Sequence, residues 1–149
     1  MGTKRHHHFI LQSIKVLFIM LFVYTATSKL MYLGQFQDRL DRFPFISSYS
    51  VWISLGVPFV ELVIAGTLLF PKYMLGSLYA SFFLLVIFTV YITAVLNFSD
   101  TIPCSCGGVV STLGWKGHII FNTSFMLLAL LGISLTKKLQ MKPLNHKTT

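Results

Sequence analysis

The sequence predicts an all-α polytopic membrane protein: a four-transmembrane-helix bundle with a short amphipathic interfacial helix between helices 1 and 2. Three observations carry this. The 149-residue chain is 54% hydrophobic but only 11% charged, against roughly a quarter charged in a soluble domain. Its apolar residues fall into four nearly uncharged runs, each close to the roughly 20 residues a helix needs to cross the hydrocarbon core. Its charges gather at the ends of those runs, where a membrane protein places them. The net charge of +8 therefore points to a lipid bilayer and not to nucleic acid. Length and pattern imply one domain over residues 1–149.

The first span is expected at 16–32, with Lys15 at its edge and Lys4, Arg5 and His6-His7-His8 outside it. The three histidines read as a basic terminus or the remnant of an affinity tag rather than as metal ligands. Thr25-Ala26-Thr27-Ser28 supplies the small residues of a signal-peptide cleavage site. The apolar pattern resumes at Leu30-Met31-Tyr32-Leu33, however, which suits an uncleaved helix.

Between 34 and 50 the chain turns polar. Phe36, Leu40 and Phe43 recur at helical spacing, while Asp38, Arg39, Asp41 and Arg42 cover the opposite side. This reads as a structural cap lying in the interface and ended by Pro44. The second span follows at 51–70, with Glu61 as its one charge and Pro58 expected to bend it. Pro71-Lys72-Tyr73 makes a tight connection, so the third span, 74–96, should pack antiparallel beside the second. Gly76, Ala80 and Ser81 offer small residues for close helix contact. A loop rich in Gly, Ser, Thr and Pro occupies 97–114, the fourth span 117–136, and a basic tail the remainder.

Orientation follows from the cations. Lys4, Arg5, Lys15, Lys72, Lys137, Lys138, Lys142 and Lys147 make eight on one side; Lys29, Arg39, Arg42 and Lys116 make four on the other. The positive-inside rule then puts both termini in the cytoplasm and the 97–114 loop outside. In a bacterial inner membrane that outside is the periplasm, where disulfides persist.

The loop holds the chain's two cysteines, Cys104 and Cys106, in Ile102-Pro103-Cys104-Ser105-Cys106-Gly107-Gly108. Cysteines two apart can close a small, strained disulfide, and strained disulfides are the labile, catalytic ones. Gly107 and Gly108 ease the backbone into the turn. A static disulfide pinning the loop is the plain alternative, and soft-metal binding with His118 a further one. His118 and Asn122 share one face of the fourth helix. His118 suits proton relay, or anchoring beside Trp115; Asn122 suits an interhelical hydrogen bond. Glu61 within a span demands a partner, and Lys29, with its long stem, is the nearest candidate. That pair is either a structural lock between the first two spans or linked to proton transfer.

The pattern resembles the DoxX-like membrane proteins and, within them, the MauE branch named from methylamine utilisation. Thr27-Ser28-Lys29-Leu30 closes the first helix, Pro58 and Glu61 lie in the second, and Cys104-Ser105-Cys106-Gly107 precedes a fourth helix entered at Trp115. The resemblance covers about Val16 to Leu135, and the Cys-x-Cys before the last helix is its distinguishing mark. It implies a four-helix bundle and a thiol-redox role, assisting disulfide formation or maturation of an exported enzyme with a periplasmic thioredoxin-like or client partner. In one respect the chain departs: the family pattern often has an aromatic residue after the second cysteine, where Gly107 stands here. The layout also resembles the four-helix core of the vitamin K epoxide reductase family, without its second, shuttle cysteine pair. A quinone acceptor follows from that likeness by fold analogy only. A non-catalytic assembly subunit or chaperone, and a copper- or zinc-handling protein, are the competing functions. Neither the cofactor nor the oligomeric state can be read from the chain.

Overall fold

The structure is a computed structural model, and it describes residues 2–41, 46–98 and 114–141. Among these residues five α-helices follow one another: α1 (Gly2–Met31), α2 (Leu33–Asp41), α3 (Ser50–Leu68), α4 (Met74–Phe98) and α5 (Gly114–Met141). Short 3₁₀ turns at Ser47–Tyr49 and Pro71–Tyr73 lead into α3 and α4. No strand occurs among the described residues. Among the described residues, four segments are long and apolar enough to cross a membrane: Arg5–Met31, Ser47–Leu68, Pro71–Ala94 and Lys116–Gln140. The chain is a multi-pass membrane protein built as a four-helix bundle.

Several helices outrun their apolar cores. The basic residues before Val16 belong to α1, because Lys and Arg are good helix formers and a helix need not stop where the hydrocarbon does. Trp115 and Lys116 likewise lie in the first turn of α5 rather than ahead of it. The interfacial helix is described as α2 up to Asp41; Arg42, Phe43 and Pro44 of its sequence pattern lie outside the described residues. Within α2, Leu40 is buried and Asp38 and Asp41 are exposed, as an amphipathic helix requires. A break of one residue separates it from α1, with the Phe36 N–H donating to the Tyr32 carbonyl at 3.0 Å.

The helices associate chiefly as two pairs, α1 on α3 and α4 on α5, closed into a bundle by α3–α4 and α1–α5 contacts. Lipid tails are as apolar as leucine, so burial alone does not drive this; packing and interhelical hydrogen bonds do. Phe18 is fully buried and meets Phe125 edge-on, ring centroids 5.4 Å apart, tying α1 to α5. The Ser77 hydroxyl donates to Thr67 Oγ1 at 2.9 Å, tying α4 to α3.

Gly76 and Ala80, expected from sequence to mediate close contact, are instead exposed, and a Cβ at Gly76 would meet nothing within 4 Å. The buried small residues of α4 are Ser77 and Ser81, on the neighbouring face. The tight approach is at Gly132 of α5, where a Cβ would stand 3.2 Å from Leu78 Cδ1 and 3.3 Å from Ile14 Cγ2.

Gly132→Leu should accordingly overpack the junction of α1, α4 and α5 and cost about 2 kcal/mol. Gly76→Leu, pointing into open space, should change stability by less than about 0.5 kcal/mol. Thermal unfolding of the two variants in the same detergent checks the contrast.

Candidate functional site

Helical periodicity brings two charges into the bundle. Along α1 the buried positions run Leu11, Ile14, Phe18, Phe22, Ala26, spaced by three and four, and Lys29 falls next on that stripe. Along α3 they run Ser50, Ser54, Pro58, Glu61, Ile64, Leu68 by the same rule. Glu61 is thus carried to the α1-facing side of its helix and is 1% exposed. Lys29 Nζ lies 2.5 Å from Glu61 Oε1, its side chain 21% exposed. The ammonium also sits 4.8 Å from the centroid of the Phe88 ring on α4. One lysine therefore touches three helices, and its place in the last turn of α1 also suits the helix dipole.

Glu61 Oε1 accepts the hydrogen bond of the lysine, and Oε2 is buried. The Thr25 hydroxyl stands within hydrogen-bonding reach of Glu61 and also reaches the Phe22 carbonyl at 3.3 Å.

On α5, Asn122 Nδ2 donates to Thr89 Oγ1 at 3.4 Å, a long bond across to α4. Thr89 in turn donates to the Leu85 carbonyl at 2.8 Å. His118, one turn earlier, is half-buried, and Lys116 is exposed.

Lys29, Glu61, His118 and Asn122 all line one cavity of about 360 Å³, whose walls come from α1 to α5 and are otherwise mostly apolar. Four of the six residues singled out from the sequence are thus gathered at one place. Cys104 and Cys106 lie outside the described residues. Among the described residues, no group of three His, Cys, Asp or Glu side chains is placed to hold a metal ion. Sequence reasoning missed Thr89 and Phe88. Thr89 is a hydroxyl in an uncharged span and left a signal; Phe88 left none among the many aromatics of that run.

Set against known proteins, residues 7–135 match the family model described as methylamine utilisation protein MauE. No curated protein and no solved structure matches the chain.

The pair is expected to respond asymmetrically. Lys29→Ala strands a buried carboxylate and should cost about 3 kcal/mol. Glu61→Gln leaves a partly exposed ammonium over Phe88 and should cost about 1 kcal/mol, on the order of one hydrogen bond. The double variant should lose less than the sum, as measured by unfolding in a double-mutant cycle; strict additivity would show that the pair is not coupled.

Proposed function

The chain belongs to the family of the methylamine utilisation protein MauE, and from that premise we propose that it is a membrane thiol–disulfide redox protein. It acts through Cys104 and Cys106 on a periplasmic partner and assists disulfide formation in, or maturation of, an exported enzyme. The observation that carries this reading is the placement of the two cysteines. They stand one residue apart, alone in the chain, in the segment that joins two spanning helices.

α4 is described as far as Phe98 and α5 from Gly114, and the two cysteines fall between them in the sequence. His118 lies one turn into α5. Exchange needs little more. A thiolate of one protein attacks the disulfide of the other, a mixed disulfide forms, and the second cysteine resolves it. One disulfide is broken and one is made, so the exchange balances without a further oxidant. His118 accepts the proton of the attacking thiol, and Lys116 and the N-terminal end of α5 favour the thiolate of Cys106. Cys104, further from α5 in sequence, is the partner-facing residue.

The distribution of cations supports a reading with both termini in the cytoplasm and the cysteine segment in the periplasm of a bacterial inner membrane. A membrane-impermeant thiol reagent on intact spheroplasts, after mild reduction, should label Cys104 or Cys106. Labelling only after membrane rupture would invert the topology.

Cys106→Ser should accumulate a reductant-sensitive covalent adduct through Cys104, visible on non-reducing gels, because the resolving thiol is gone. The double Cys→Ala variant should form no adduct and lose function. A double variant that supports its pathway normally would leave a non-catalytic assembly subunit, held together by Lys29 and Glu61, in place of the redox protein.

A further inference from the structure

At the end of the bundle remote from Lys29, two lysines flank an open notch on the outer face of α4. We propose that this notch binds an anionic phospholipid, its phosphodiester seated between Lys72 and Lys137 and an acyl chain lying along α4. The assignment rests on charge and shape at the notch and is independent of the cysteine chemistry.

Helix register brings the two lysines together. Asn122 of α5 meets Thr89 of α4, and a Cβ at Gly132 would meet Leu78, so the two helices run antiparallel. Counting equally onward from Gly132 and back from Leu78 sets Lys137 level with Tyr73, the neighbour of Lys72. Lys137 also reaches toward α4, for its Nζ lies 5.4 Å from the centroid of the Tyr79 ring. Lys72 Nζ lies 5.7 Å from the centroid of the Tyr73 ring. Both lysines are exposed. Each ammonium is thus held on a tyrosine, at the depth where such rings meet lipid headgroups.

The charge is unanswered within the described chain. Its acids are Asp38 and Asp41 on α2, beyond the other end of α1, and Glu61, which Lys29 neutralises. Among the described residues neither Lys72 nor Lys137 belongs to an ion pair. Cations so placed attract anionic headgroups, at roughly fivefold in affinity for each lysine.

Gly76 supplies the seat. It lies one turn after Lys72 and one turn before Tyr79, so the three share a face of the helix. A Cβ at Gly76 would meet nothing within 4 Å. Lys72 and Tyr79 stand about 10 Å apart along the axis, which leaves room for a phosphodiester with one unesterified oxygen toward each lysine. Further along α4, Phe83, Ile87 and Val90 continue the stripe and are exposed. A soluble phosphate would leave them bare. An acyl chain covers them, so the anion is a lipid.

The test is native mass spectrometry of the full-length chain in detergent, titrated with dioleoylphosphatidylglycerol or dioleoylphosphatidylcholine. The two lipids share chains and phosphate, but the choline ammonium cancels the charge that the lysines read. Phosphatidylglycerol should bind about tenfold or more tightly. Lys72→Gln/Lys137→Gln should weaken its binding about thirtyfold. Lys4→Gln/Arg5→Gln, an equal loss of charge at the same end, should weaken it less than about threefold, because charges away from the bound headgroup are screened. Gly76→Leu keeps every charge, and by filling the notch should weaken binding about tenfold. Equal binding of the two lipids overturns the assignment, as does undiminished binding to folded Gly76→Leu. Equal weakening by the two double variants overturns it too, for it reduces the attraction to net charge, and this contrast decides even if Gly76→Leu fails to fold. Excess inorganic phosphate should leave the lipid bound; displacement would mark a site for a soluble anion and overturn the lipid assignment.

Discussion

A carboxylate in the middle of a membrane-spanning helix has to be neutralised, and much of this bundle is arranged around that requirement. Glu61 sits on a buried stripe of α3 that is otherwise small or apolar. Taking a charge that far from water costs several kcal/mol unless an opposite charge meets it. Lys29 meets it from α1 at 2.5 Å, and this contact fixes how far α1 and α3 slide past one another. The same ammonium rests on Phe88, which extends the constraint to α4. A one-residue shift of either helix would turn its charge off the stripe, so register and neutralisation stand or fall together.

Packing along the bundle is uneven, and the unevenness has a chemical basis. Around Ile14, Leu78 and Gly132 the helices approach as closely as a missing Cβ allows. Leu68 and Ala129 are also fully buried. Further along α4, at Leu85 and Phe88, the walls part around a cavity. There the contacts between helices are polar and long-armed: a lysine reaching a glutamate, an asparagine reaching a threonine at 3.4 Å. Long side chains hold backbones apart where glycine and serine let them close. The bundle is thus clamped towards one end and propped open towards the other.

How much of this is legible in the chain depends on what kind of force decides it. The four spans follow from hydropathy, because a bilayer admits few alternatives to a helix of apolar residues. The partner of Glu61 also follows, since one lysine lies within reach on the adjoining span. Helix ends do not follow so well: Gly2 to Lys15 is helical although it is basic, since backbone hydrogen bonding continues past the hydrocarbon edge. Gly76 and Ala80 mislead, because a small residue marks a close contact only if it lies on the inward face, and α4 is apolar all round. No period in its sequence distinguishes lipid-facing from buried positions. The real close approach, Gly132, looks in sequence like any other glycine of a spanning helix. The cavity is legible nowhere in the sequence, for it is a property of five helices together. The cysteine pair, the most conspicuous motif in the chain, lies outside the described residues.

The ion pair is a poor candidate for a purely structural device. Replacing a buried pair by apolar residues of similar volume is often neutral or stabilising. What apolar residues could not supply is a hydrogen-bonding surface inside the cavity. The arrangement neutralises the charge and at the same time brings Lys29, Glu61, His118 and Asn122 to the wall of one mostly apolar cavity.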